Sequence, residues 1–289
     1  MKKAYSAFVE LKNNRRLKPY RGLCFAFLCY LRDKEHVKIF IDGYDRVEGD
    51  YTFIEHPYMH RWKPEYTRYR LAQFYALEEW AKQNPLPLTM LTFTTYHDNP
   101  HNKRVLTIEK SWKELKAGFH KASQILNKTK KSPYVWVVEP QPDSGYPHIH
   151  AGYFAEFDDD EQDRLKNHWS RVLGVGNYEN GLHFDVNQEY NVGDISSLRN
   201  YLMKYLRKTF IDTIPEWKPE ELVFNAVAWH CGYRFFGCSR DISAAMHIKS
   251  DSEMDNFQWL RTSLSGHGLS GELLNRVINK DPSFVFGGS

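Results

Sequence analysis

Two short runs, Tyr134 to Glu139 (YVWVVE) and His148 to Phe154 (HIHAGYF), are rich in β-branched and aromatic residues and flank Gln141-Pro-Asp-Ser-Gly145. The runs read as strands and the segment between them as a turn, so the chain makes a β-hairpin here. A hairpin is antiparallel and excludes a purely parallel sheet. Around it strands and helices interleave. Leu88 to Tyr96 (LTMLTFTTY) has strand composition, Ser111 to Lys128 has helical periodicity, and a helix is expected from about Asp160 to Leu173. His183 to Asn187 reads as a short strand, Ile195 to Phe210 as a helix and Tyr233 to Cys238 as a last strand. The fold class is therefore α+β, with helices packed on an antiparallel sheet.

The organisation before and after this region is less regular. Leu23 to Leu31 and His36 to Ile41 are apolar, strand-like runs, Tyr66 to Lys82 is a helix, and Asn84-Pro-Leu-Pro87 reads as a linker. The chain divides into an N-terminal extension (1–85), a central domain (86–240) and a C-terminal extension (241–289). Composition fits a folded protein: 42% hydrophobic, 26% charged and 15% aromatic, with no bias toward disorder. No stretch approaches the roughly 18 uninterrupted apolar residues of a membrane span, and the N-terminus lacks the apolar core of a signal peptide. A cytoplasmic protein without a membrane partner is expected. Cys24 and Cys29, and Cys231 and Cys238, lack zinc-knuckle spacing and read as reduced thiols.

Net charge is only +3, but it is unevenly placed. Between Pro100 and Lys131 nine basic residues, Lys113 and Lys116 among them, face two acids, Glu109 and Glu114. Such a run is either a solvated helix face or a set of phosphate contacts. The acidic cluster Glu156 to Asp163 is placed to cap the following helix, where carboxylates complement the N-terminal dipole.

Two constellations carry chemistry. His148-Ile-His150 puts both imidazoles on one face of a strand, because side chains alternate with period two. Thirteen histidines over this length give about 0.6 such pairs by chance, so the context must supply the specificity. Glu139, ending the partner strand, can reach the same face. Two imidazoles and a carboxylate leave coordination positions open on a metal that also holds a phosphate oxygen. The second constellation is Tyr201-Leu-Met-Lys204-Tyr205, with Lys208 beyond it. On a helix the two phenols share a face beside a leucine stripe, with Lys204 and Lys208 adjacent. A phenol with a pKa near ~10 becomes a useful nucleophile when cations stabilise its anion or a metal polarises its target.

In this order along the chain, these segments resemble the signature motifs of the HUH rolling-circle replication initiators. Leu91-Thr-Phe-Thr-Thr95 resembles the first motif, a core strand, and Tyr146-Pro-His148-Ile-His150 resembles the His-hydrophobic-His metal motif, with Glu139 where a third ligand is often found. Tyr201 to Tyr205 resembles the nucleophile helix and satisfies both the one-tyrosine (Tyr-x-x-Lys) and two-tyrosine (Tyr-x-x-x-Tyr) patterns. Initiators of archaeal plasmids and viruses and of single-stranded-DNA phages are most similar, with a counterpart for Trp229 to Arg240. The resemblance spans about residues 88 to 240.

It implies a five-stranded antiparallel sheet with a ferredoxin-like or RNA-recognition-like core. It also implies a divalent ion, Mn2+ or Mg2+, on His148, His150 and Glu139, and attack by Tyr201 on single-stranded origin DNA. A 5′-phosphotyrosine and a free 3′-hydroxyl would result, with Tyr205 as a second nucleophile. Lys113, Lys116 and Lys208 are candidate DNA contacts. There is no Gly-rich phosphate loop followed by Lys-Ser/Thr, so a host helicase and polymerase are expected partners. Two other readings stay open: an HUH transposase, and a non-catalytic module that binds single-stranded nucleic acid on its aromatic residues.

Overall fold

The structure is a computed structural model that describes residues 2–34, 37–45, 49–57, 60–62, 64–95, 98–99, 104–172, 174–175, 181–185, 217–246 and 257–264. In chain order the main elements are α1 (Lys2–Glu10), α2 (Arg21–Lys34), β1 (Lys38–Asp45), β2 (Asp50–Pro57), α3 (Pro64–Gln83) and β3 (Thr89–Thr94). They continue as α4 (Ile108–Thr129), β4 (Tyr134–Pro140), β5 (Pro147–Tyr153), α5 (Asp159–Asn167) and β6 (Leu182–Asp185). The last are α6 (Pro219–Cys231), β7 (Phe236–Cys238), α7 (Arg240–Ala245) and β8 (Phe257–Leu264). The protein is thus a mixture of helices and antiparallel sheet. The central sheet runs β6-β3-β5-β4-β7, and a second sheet of order β8-β1-β2 pairs segments from the two ends of the chain.

Alternation along the central strands sends neighbouring residues into two different cores. Leu91, Phe93, Val138, Ile149, Ala151 and Tyr153 point to the face covered by α4, where they meet Trp112, Leu115, Phe119, Ala122 and Leu126. Met90, Val135 and Val137 point the other way, toward Phe74, Leu77 and Ala81 of α3 and Ile242 of α7. Gly118 on α4 is required by close approach: a Cβ there would lie 2.9 Å from the ring of Trp169 and from a methyl of Val175. The acidic segment does what its position implies. Asp158 caps α5 by accepting from the Glu161 N–H at 2.8 Å, and the Glu161 carboxylate accepts from the Asp158 N–H at 3.1 Å.

Leu23 to Leu31 is not a strand. The segment lies within helix α2, and its buried residues, Cys24, Phe27 and Leu31, recur at helical spacing. A short apolar run cannot be assigned by periodicity when intervening positions are also apolar. Phe27 lies 4.8 Å from Trp62 edge-on and is stacked on Trp217, while Trp62 donates its indole N–H to Asn225 at 2.9 Å. Helix α6 has no periodic signal in the sequence, because Leu222 to Ala228 are all buried and show no polar stripe. Its ends do carry signals: Pro219 in the first turn, Glu221 accepting from the Lys218 N–H, and Gly232 at φ 65° where the helix stops. The last central strand is correspondingly shorter than Tyr233 to Cys238, and Trp229 belongs to α6. All four cysteines are free thiols, and burial raises the pKa of Cys24 to about 12. Among the described residues no helix is long and apolar enough to cross a membrane.

Candidate metal centre

The β4–β5 hairpin is set by its loop. The Gln141 N–H donates to Tyr146 O at 2.7 Å and the Gly145 N–H to Gln141 O at 3.0 Å. Asp143 and Gly145 take left-handed φ values of 60° and 71°. Gly145 has a second reason to lack a side chain, since a Cβ there would meet Glu220 O at 2.8 Å. Arg16 donates to Asp143 O, and Lys218 pairs with the Asp143 carboxylate at 2.9 Å, so the turn is tied to the N-terminal segment and to the start of α6.

This loop fixes a register in which Glu139 is directly opposite His148 and Val137 opposite His150. Directly opposed residues share a face, so Glu139, His148 and His150 converge. Glu139 Oε1 is 2.7 Å from His148 Nε2 and 3.0 Å from His150 Nε2, and the two Nε2 atoms are 3.0 Å apart. Glu139 and His150 are 3% and 5% exposed and His148 is half-buried, so this is an interior site. Burial works against ionisation of Glu139, but the hydrogen bonds from His148 and His150 and their charge outweigh it and hold the carboxyl at about 2. The carboxylate is therefore an anion at neutral pH, the form in which it ligates a cation.

A fourth residue, which the sequence does not single out, belongs here. Thr92 on β3 is opposite His150, and its Oγ1 lies 2.9 Å from His150 Nδ1. A hydroxyl that accepts from Nδ1–H leaves Nε2 as the ligating nitrogen, and the proton that Nε2 gives to Glu139 in the ion-free site is the one a cation would replace. Leu91-Thr-Phe-Thr-Thr95 reads as an ordinary core strand in sequence, and the role of Thr92 emerges only once the β3–β5 register is known. Thr92→Val, isosteric but unable to accept, is expected to weaken divalent-ion affinity about 10- to 100-fold with little change in the metal-free fold. Calorimetric titration checks this, and unchanged affinity would remove Thr92 from the site.

The three ligand atoms of Glu139, His148 and His150 all lie within 4.8 Å of one another, a set that could hold a metal ion, and they are the one such group among the described residues. Two nitrogens and one anionic oxygen on rigid neighbouring strands fit a divalent cation with open positions. Tyr201, Lys204, Tyr205 and Lys208 lie outside the described residues. Tyr153 cannot stand in for the nucleophile, being fully buried on the opposite face with its phenol 3.0 Å from Ser123 Oγ and its pKa raised by burial. Lys113 and Lys116 are exposed on α4, the helix covering the sheet face opposite the triad. Lys116 Nζ lies 5.3 Å from the ring centre of Tyr233.

No curated protein and no solved structure matches the chain. Residues 88–210 match the family model of the replication-associated protein ORF2, a segment that begins at the first central strand and includes all three triad residues. The match supports a replication initiator.

Proposed function

We propose that this protein is a rolling-circle replication initiator of the HUH endonuclease type, which nicks and rejoins single-stranded origin DNA through a tyrosine. The observation that carries the reading is the convergence of His148, His150 and Glu139 on one buried point of the sheet. Two further observations support it. From β3 to β6 the elements run β-α-β-β-α-β with strand order β6-β3-β5-β4, the arrangement of a ferredoxin-like core. The family match continues past β6 through the segment holding Tyr201 and Tyr205.

A divalent ion bound to the triad would supply Lewis-acid polarisation of the scissile phosphate. With two nitrogens in the set, Mn2+ matches better than Mg2+, which takes oxygen ligands and holds its water. The chain's own residues do the rest. Thr92 orients His150, Glu139 supplies the negative charge, and the hairpin fixes both histidines before substrate arrives, so little reorganisation remains for the reacting state. Tyr201 Oη forms a bond to phosphorus as the P–O3′ bond breaks. The phenolic proton is lost and the leaving 3′-oxygen gains one, with Lys204 favouring the phenolate. One phosphodiester replaces another, so a 3′-hydroxyl can reverse the step and rejoin the strand. Unwinding and synthesis fall to host proteins.

The test is intact-mass analysis after incubating the full chain with single-stranded origin DNA and Mn2+. A mass increase equal to the 5′-linked fragment, absent with chelator, is the expected result. Binding without an adduct would leave the non-catalytic reading in place. Double-strand integration products in place of nicking and circle release would favour a transposase.

A further inference from the structure

Strand β7 forms one edge of the central sheet, beside β4, and two clefts meet across it. The first, about 360 Å³, opens where Phe236 stands opposite Val137, in the same cross-strand row that places Val137 opposite His150. Its aromatic walls include Tyr66, Tyr69 and Phe236, and three guanidinium groups line it, from Arg61, Arg70 and Arg234. The second, about 400 Å³, lies on the α4 side and is lined by Tyr233 and Trp112 with Lys116 and His120. Trp136 and Arg234 line both, so the clefts form one track around the sheet edge. Gly237 lets Trp136 lie against the edge strand: a Cβ there would fall 2.6 Å from the indole, which rests directly on the glycine.

No carboxylate is among the described residues lining either cleft. The cations stand against rings: Arg70 lies 4.8 Å from the centre of Tyr66 and 4.9 Å from that of Phe236, and Lys116 lies 5.3 Å from that of Tyr233. Two polar groups along the track are buried without a hydrogen-bond partner among the described residues, Arg70 Nε and the indole N–H of Trp112. Exposed Arg234 sits at the junction. A small anion would use the guanidinium groups and leave the rings idle, and an apolar ligand would leave the cations idle. A polymer that alternates negative charge with flat bases uses both.

We infer that this track around β7 binds single-stranded DNA flanking the cleavage point, with phosphates on Arg70, Arg234 and Lys116 and bases on Phe236, Trp136 and Tyr233. The inference rests on the proposed nicking function for its choice of DNA. The near end of the track is two strand spacings, roughly 10 Å, from His150 on the same face. The far end lies on the opposite side of the sheet, so the strand turns around the edge at Trp136. That path explains the basic face of α4 without placing it at the triad, and it gives the first third of the chain, through Arg61, Tyr66 and Arg70, a share in the substrate.

The experiment is fluorescence-anisotropy binding of labelled oligothymidylate to the full chain in chelator, where no cleavage occurs. Arg234→Glu, an exposed position whose change spares the core, and Arg70→Gln are each expected to weaken binding about ten-fold. Each should flatten the slope of log affinity against log salt by about 0.7 for every phosphate left without its cation. Lys12→Glu, a charge reversal on an exposed lysine lining neither cleft, should bind as wild type. Trp136→Phe should keep most of the affinity and Trp136→Leu lose it, which separates stacking from a loss of charge. Wild-type affinity and slope in both arginine variants would overturn the inference, as would duplex DNA competing as well as the single strand. The adduct assay reads the nicking function separately. An adduct with unaffected arginine variants would sink the track alone, and weakened variants without any adduct would sink the nicking alone.

Discussion

Replacing His150 with alanine is expected to abolish the covalent DNA adduct and to remove the stabilisation that Mn2+ gives the folded protein, while leaving the metal-free fold in place. His150 is buried and bonds to Thr92 and Glu139, so its loss costs the metal-free protein something on the order of 1–3 kcal/mol. The cost stays in that range because Glu139 keeps His148 at 2.7 Å and is not left as an unpaired buried charge. The metal term is comparable in size and conditional. An ion that binds only the folded state stabilises it by about 2.7 kcal/mol at a concentration a hundred times its dissociation constant, and that increment should vanish in the variant. His148→Ala should behave alike. Glu139→Ala should weaken metal binding less than either, since water can take a third ligand position. Paired thermal scans with chelator and with Mn2+ separate the two contributions. A variant that keeps the Mn2+-dependent shift, or forms the adduct in chelator, would show that the ion sits elsewhere.

The triad is legible in the sequence because strand alternation and a hairpin are local: two residues on one strand and one on its neighbour share a face whatever the rest of the chain does. Thr92 is not legible in that way. Its contact with His150 depends on a pairing between segments 58 positions apart, and a threonine in a strand is an ordinary occupant. Helix α2 reads as a strand because its exposed side is apolar too, with Phe25 and Ala26 facing out between the buried Cys24, Phe27 and Leu31, whereas α6 is hidden because Leu222 to Ala228 are all buried. In both cases apolar residues on every side leave the sequence without the polar stripe that helix reading relies on. The arginines of the β7 track illustrate a further limit. Arg61 and Arg70 sit in a stretch without any motif, and they gain meaning only from the place where the fold sets them down, beside Phe236. Charge clustering along α4 is visible in the sequence, but its position behind the sheet is not.

The assignment of the two tyrosines is the prediction that most changes what the protein does. Tyr201→Phe is expected to eliminate the initial adduct, whereas Tyr205→Phe should still form it and fail at strand transfer and circle release. The asymmetry has its reason in the local pattern: Tyr201 fits both nucleophile patterns and has Lys204 three residues on, on the neighbouring face of a helix, while Tyr205 fits only the two-tyrosine pattern. A phenol one turn further along the same face can reach the same phosphate in alternation, so that one tyrosine holds the 5′ end while the other cuts the regenerated origin. Loss of a nucleophile's hydroxyl removes the covalent step itself, so the first effect should be complete rather than partial. If Tyr205 instead packs against the leucine stripe, its replacement by phenylalanine keeps the ring and leaves circle release intact. Peptide mapping of the wild-type adduct decides the order of action. DNA on Tyr205 alone would reverse it, and full circle release by Tyr205→Phe would reduce the site to a single tyrosine.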